Sequence, residues 1–306
     1  MDEVSTEVLI RAENLARRYG PHAAVTDLSF ELRRGQVLGL LGPNGAGKTT
    51  SLRMLTGTLA PQAGRIHING MDLAAQPAAA KARLGYLPER PPLHPELRVD
   101  EFLRFCARLH GADTSGVERA IAACGLTAMS RRVIRSLSKG YQQRVGLAQA
   151  IVHDPAVIIL DEPTVGLDPN QMREMRRLIR SLAPERAIIL SSHILSEVEA
   201  VCDQVIILAG GQVVFKDALH SWRDQARERS LVIGLRRPPP PRDLGAVAGV
   251  AAVEPLAGYR FRLGLAAGAD PREELASLAA QRNWGLFLLT EEARSLEERF
   301  AELTGG

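Results

Sequence analysis

Val37-Leu38-Gly39-Leu40-Leu41-Gly42-Pro43-Asn44-Gly45-Ala46-Gly47-Lys48-Thr49 is the stretch that decides the fold. Val37–Leu41 is an apolar run of strand length that leads straight into a glycine-rich turn, and Thr49–Thr58 then reads as a helix. Gly42–Thr49 matches the pattern G-x-x-x-x-G-K-[ST] in this strand–loop–helix setting. Glycines let successive backbone N–H groups converge on phosphate oxygens without a side chain in the way. The helix that follows adds its positive N-terminal end. Lys48 supplies a point charge for terminal phosphates, and the Thr49 hydroxyl is suited to ligate magnesium.

Further along, Ala156–Leu160 and Ala187–Ser191 are apolar, β-branched runs of strand length. Helical patterns lie between them, notably Gln142–Val152 and Gln171–Leu182. Strands alternating with helices imply a largely parallel sheet in an α/β fold. The run Val157-Ile158-Ile159-Leu160 ends in Asp161-Glu162 and so places two carboxylates at a strand's C-terminal edge, where α/β folds bind ligands. Asp161 is suited to the magnesium shell and Glu162 to polarising an attacking water. Taken alone, a strand followed by Asp-Glu is equally a capped helix start. About twenty residues upstream, Leu137-Ser138-Lys139-Gly140-Tyr141-Gln142-Gln143-Arg144 opens another helix, with Ser138 and Gly140 at a second potential phosphate-binding N-terminus. Its plain reading is a capped helix with a polar first turn.

The bulk numbers restrict the function classes. The 306 residues suffice for one large domain and a smaller one. Aromatics are only 4%, which argues against surfaces that stack single-stranded nucleic acid. A formal charge of +3 does not imply a polyanion partner. Cys106, Cys124 and Cys202 lie far apart with no C-x-x-C pair, as expected of a chain from a reducing cytosol. The start, MDEVSTEVLIRAEN, is acidic and lacks the apolar core of a signal peptide. No apolar run approaches the ~18 residues that span a bilayer. A soluble chain is expected, with any membrane role coming through a partner.

Near residue 225 the composition changes. The charged stretch Arg223–Arg229 precedes Leu231–Leu235, and Pro238–Pro241 then reads as a stiff connector. Tyr259, Phe261, Leu263 and Leu265 alternate with Arg260, Arg262 and Gly264, the pattern of a half-buried strand. Pro271–Gln281 opens like a helix capped by Asp270, Trp284–Leu289 is strand-like, and Leu296–Leu303 reads as a closing helix. The tail is therefore expected to be a small α+β domain of βαββαβ, ferredoxin-like type.

The series of motifs over residues 8–220 resembles the ATP-binding cassette of ABC transporters, in the family's order and spacing. The loop at Gly42 resembles its Walker A, and LSKGYQQR its LSGGQ signature. Asp161 and Glu162 match the Walker B aspartate and the catalytic glutamate. Gly166-Leu167-Asp168 resembles the D-loop, His193 within SSH the switch histidine, and Tyr19 the aromatic that stacks on adenine. The resemblance implies an α/β P-loop NTPase cassette over residues 1–222, with a RecA-like core, an antiparallel β subdomain and a helical subdomain; residues 223–306 form the accessory domain. It implies ATP binding by Tyr19, Gly42, Pro43, Asn44, Gly45, Ala46, Gly47, Lys48, Thr49 and Thr50. Ser138, Gly140 and Asp168 of a second copy, docked head to tail, would complete the site. It further implies magnesium with the ATP, held by Thr49, Asp161 and Glu89, and hydrolysis carried by Glu162, His193 and Lys48.

Two departures stand out. Gly85-Tyr86-Leu87-Pro88-Glu89 puts Glu89 where the family usually has glutamine, and an ionised carboxylate accepts but does not donate. In the signature, Lys139 and Tyr141 replace a glycine and a glutamine. Both resemble the branch that includes drug-export, sodium-export, copper-related (nitrous oxide reductase maturation) and gliding-motility ATPases, and the tail from Ser295 to Gly305 resembles the end of that branch's C-terminal domain. In that branch a separate membrane permease is the partner. The chain is then expected at the cytoplasmic face of the plasma membrane, coupling to the permease through Pro95–Leu109, with export as the favoured direction. The rival reading is a soluble ABC-type ATPase acting on nucleic acid or ribosomes. Against it, fewer than a hundred residues separate Thr50 from Leu137, without zinc-ligand spacing or sustained heptads, and there is one cassette only.

Overall fold

The structure, a computed structural model, describes residues 7–219, 221, 230–266, 268–292 and 296–304. The charged stretch Arg223–Arg229, Ser295 and Gly305 lie outside the described residues. The chain divides into two compact units, Met1–Leu219 and His220–Gly306.

The first unit carries strands β1 (Val8–Tyr19), β2 (His22–Arg33), β3 (Val37–Leu41), β4 (Ala63–Ile68), β5 (Met71–Asp72), β6 (Leu84–Leu87), β7 (Val157–Asp161), β8 (Ala187–Ser192), β9 (Gln204–Ala209) and β10 (Gln212–Ala218). They form one sheet in the order β5-β4-β1-β2-β10-β9-β3-β8-β7-β6. From β9 to β6 the strands run parallel, whereas β1, β2, β4 and β5 pair antiparallel. A single parallel pairing of Gln212 with Thr26 joins the two parts.

β3, β7 and β8 are buried at every position, as central parallel strands are when helices cover both faces. Leu40, Ile159, Ile189 and Ile206 share one hydrophobic cluster with Leu52 and Met54 of α1 (Lys48–Leu55). Each such side chain contributes ~1.5–3 kcal/mol on burial, and the β-branched isoleucines suit a pleated surface. The antiparallel strands read differently. β1 alternates imperfectly because its register slips between Ala12 and Leu15 and again between Leu15 and Arg17.

The remaining helices are α2 (Pro77–Lys81), α3 (Val99–Leu109), α4 (Thr114–Ala123), α5 (Lys139–Ile151), α6 (Pro169–Leu182) and α7 (Leu195–Val201). α5 and α6 start earlier than hydrophobic periodicity suggests, because polar caps set their first turns. Ser138 caps α5, and Asp168 accepts from Asn170 N and Gln171 N at 2.9 Å each, with Pro169 at the first helical position. In α3, Val99, Phe102 and Leu103 are buried, while Phe105 and Leu109 on the same helix are exposed.

The second unit contains β11 (Ser230–Leu235), α8 (Pro241–Gly245), β12 (Val250–Leu256), β13 (Arg260–Leu265), α9 (Arg272–Gln281), β14 (Leu286–Glu292) and α10 (Leu296–Thr304). The sheet order is β12-β13-β11-β14 with antiparallel pairs, the split βαβ topology. Leu231, Ile233, Phe261, Leu263, Leu275 and Trp284 make its core. Four local expectations are corrected here. Pro241 begins a helix rather than ending a connector. Tyr259 is an exposed turn residue with φ 59°. α9 starts at Arg272 with Pro271 at its cap position, Asp270 Oδ1 accepting from Arg272 N at 3.3 Å. Trp284 precedes its strand, because left-handed Asn283 and Gly285 turn the chain on either side of it.

Candidate nucleotide site

Sheet register assembles the site. Leu41 pairs with Ser192 and Asp161 with Ser191, so β3, β7 and β8 end in one row. The loop after β3, the carboxylates after β7 and the Ser-His after β8 therefore meet at the C-terminal edge of the parallel strands. The loop needs its glycines for two separate reasons. A Cβ on Gly42 would lie 2.4 Å from Leu208 O; Gly47 has φ 109°, and its Cβ would lie 2.3 Å from Ala24 O. Gly47 then leads directly into the first turn of α1, where the first N–H groups of a helix have no intrahelical partner.

Lys48 is buried at 7% exposure. Its Nζ donates to Gly42 O at 2.7 Å and Pro43 O at 3.3 Å, and lies 3.5 Å from Glu162 Oε1. The ammonium is thus held inside the loop, with the Glu162 carboxylate as its counter-ion. His193 Nδ1 donates to the other Glu162 oxygen, Oε2, at 3.0 Å. The Ser191 hydroxyl donates to Asp161 Oδ1 at 2.7 Å and accepts from Glu162 N at 2.9 Å. Ser191 therefore ties the two acidic residues to the end of β8. Beneath them, Ser192 Oγ donates to the buried Glu197 at 2.7 Å, and Thr164 bonds the same carboxylate.

Burial holds the Asp161 carboxyl above its usual range; the nearby Glu162 and Glu89 carboxylates push it the same way, while the Ser191 hydroxyl and Lys48 oppose them. The Lys48 ammonium is the positive charge among these carboxylates. Tyr86 on β6 keeps its proton to about 12, through burial and the Asp161 charge.

A cavity of about 640 Å³ opens over the loop. Tyr19, Pro43, Asn44, Gly45, Gly47, Lys48, Thr49, Thr50, Glu89, Glu162 and His193 all line it. Gly42 and Ala46 are buried within the loop, and Asp161 is buried behind Ser191's hydrogen bonds. Ser138, Gly140 and Asp168 are not among the lining residues; Ser138 and Asp168 cap their helices, and Gly140 packs on Gln171. The sequence reading did not single out His22, Ala24 and Val165, which also line the cavity, or Ser191. For Ser191 the signal is its place beside His193 at the end of a strand. His22 and Ala24 depend on how β2 crosses the loop, which no local pattern states.

The chain matches known proteins over the same region. The sequence model described as "ABC transporter" matches residues 25–165. The ABC transporter ATP-binding protein NatA of Bacillus subtilis is 38% identical over 214 residues, 68% of this chain and 87% of that protein. The bacitracin transport ATP-binding protein BcrA of Bacillus licheniformis is 38% identical over 209 residues, 67% of this chain and 69% of its own length. A solved ATP-binding subunit of an ABC transporter superposes with a TM-score of 0.64 at 33% identity, covering 71% of this chain and 92% of the other. With the loop, the paired acids and the histidine gathered at one strand edge, these matches show that the chain belongs to the ABC transporter family, as one of its ATP-binding, ATP-hydrolysing subunits.

Proposed function

We propose that this chain powers a separate membrane permease, in the direction of export, through ATP-driven head-to-tail docking of two copies. The observation that carries the reading is the convergence of Lys48, Glu162 and His193 on one cavity floored by the Gly42–Gly47 loop. In this reading ATP stacks its base on Tyr19, and its phosphates lie along the loop and the N-terminus of α1. Lys48 exchanges its contact with Glu162 for the terminal phosphate. Glu162, freed from the ammonium and oriented by His193, polarises the attacking water. Magnesium fits the donor set of Thr49, Asp161 and Glu89, around which the acids crowd. Bound with ATP, it would neutralise charge on the phosphates. The separation of Ser138, Gly140 and Asp168 from the cavity suits their serving a nucleotide on the second copy.

Relatives named for bacitracin transport and for Nod factor export support the export direction. Exposed Phe105 and Leu109 on α3 support a permease contact on the helical region. Among the described residues no helix is long and apolar enough to cross a membrane, so attachment would be peripheral, at the cytoplasmic face. Residues 223–306 would form an accessory domain.

Glu162→Gln tests the reading. ATP binding should persist, turnover should fall by ~10²–10⁴-fold, and a dimer should accumulate on size-exclusion chromatography with ATP. Undiminished turnover would remove Glu162 from the mechanism, and a strictly monomeric, ATP-loaded variant would remove the dimer. Co-purification from membranes should bring down a permease subunit.

A further inference from the structure

Glu162 has φ 48°, a left-handed conformation that a non-glycine residue holds only when its surroundings impose it, at a cost of ~1–3 kcal/mol. On its upstream side Glu162 N is fixed by Ser191 Oγ. Downstream, Val165 N donates to Glu162 O at 3.2 Å and Leu167 N to Thr164 O at 3.1 Å. Asp168 then caps α6, so the turn from Glu162 to Asp168 is continuous with the first turn of that helix. Whatever holds the start of α6 also holds Glu162.

α5 supplies that hold. Arg144 Nη2 forms an ion pair with Glu174 Oε2 on the second turn of α6, and the Arg144 side chain is only 19% exposed. Gly140 lies directly against the end of the Gln171 side chain, where a Cβ would stand 2.8 Å from Cδ. Lys139 lays its ammonium over Gly166 so closely that a Cβ there would lie 2.0 Å from Nζ. Three successive contacts thus tie the first two turns of α5 to the turn and to α6. We infer that Arg144 and Glu174, with Lys139 seated over Gly166, are positioning residues: they hold the 162–168 turn so that the strained Glu162 stays in its hydrolytic geometry. The inference rests on the proposed role of Glu162.

A partly exposed pair of this kind adds only ~0–1 kcal/mol to stability. Its removal is therefore expected to act on turnover rather than on folding. In the full-length chain, Arg144→Ala and Glu174→Ala should each lower kcat about 10-fold, with KM for ATP within about 2-fold and Tm nearly unchanged. The exchanged pair, Arg144→Glu with Glu174→Arg, should recover kcat to within about 3-fold of the wild type. In the Glu162→Gln background, Arg144→Ala should cost nothing further, because both changes act through one group. Unchanged kcat in the single variants beside an inactive Glu162→Gln chain overturns the inference alone. So does an exchanged pair that stays as slow as the singles with Tm intact. Full turnover by Glu162→Gln removes the reading of Glu162, and the inference with it.

Discussion

The two units bury apolar sheets by different means, and only one of them ends its strands in chemistry. In the first unit, β3, β7 and β8 are buried along their whole length, and their C-terminal ends bring Lys48, Asp161, Glu162 and His193 within a few ångströms of one another. In the second, β12 is an exposed edge strand that tolerates Pro255, and its charges pair locally: Arg262 with Glu254 at 3.0 Å, and Arg272 with Asp270. Charges brought together across a parallel sheet are desolvated and mutually dependent. Charges paired on a surface are screened and replaceable. Function is concentrated where sequence-distant strand ends converge.

Four changes would break or sharpen this contrast. Lys48→Ala should have the largest effect, lowering ATP turnover by ~10³-fold in a phosphate-release assay, since it removes both the phosphate charge and the counter-ion of Glu162. Leu263→Ala, at a fully buried position of the second unit, should destabilise that unit by ~2–5 kcal/mol in denaturant titration. Turnover by the first unit should stay within about 2-fold, and a matching loss of turnover would erase the division of labour drawn above.

Acid should separate the units next. Burial lowers the pKa of His153 to about 4, and the stacked ring of His110 adds to this; its Nε2–H donates to Leu84 O at 3.1 Å. The unfolded imidazole takes up its proton near 6.5, so the unfolded state binds more protons between pH 6.5 and 4. Stability of the first unit should therefore fall as pH drops through that window. His153→Phe should flatten the fall in a pH series of melts. The second unit has a single histidine in its sequence, His220 at its first position, so the limb assigned to His153 belongs to the first unit. The smallest effect is expected for Arg262→Ala, under ~1 kcal/mol on the second unit, because its ion pair is at the surface.

How much was legible follows the same division. Val37–Leu41, Val157–Asp161 and the run after Ala187 announce themselves, because a strand buried on both faces has to be apolar throughout. The capped start of α5 is legible at Ser138, whereas that of α6 lies at Pro169, ahead of the pattern that begins at Gln171, since periodicity begins only where the apolar face does. β1 and β2 carried no clean signal, because bulges at Ala12–Leu15 and Leu15–Arg17 break the alternation a half-buried strand would show. His22 and Ala24, which those strands deliver to the cavity, went unread for that reason.

By itself, the order of residues determined the phosphate loop, the carboxylates after a buried strand and the alternation of an α/β core. Each is a local demand: glycine where a side chain would collide, apolar runs where water is excluded, acids where a strand ends. Only the tertiary structure decided that Ser191 links Asp161 to Glu162, that Glu162 adopts a left-handed backbone, and that α5 is tied to α6 through Arg144 and Glu174. These depend on sheet register and helix packing between segments about thirty residues apart, and no local pattern encodes which strand end will lie beside which.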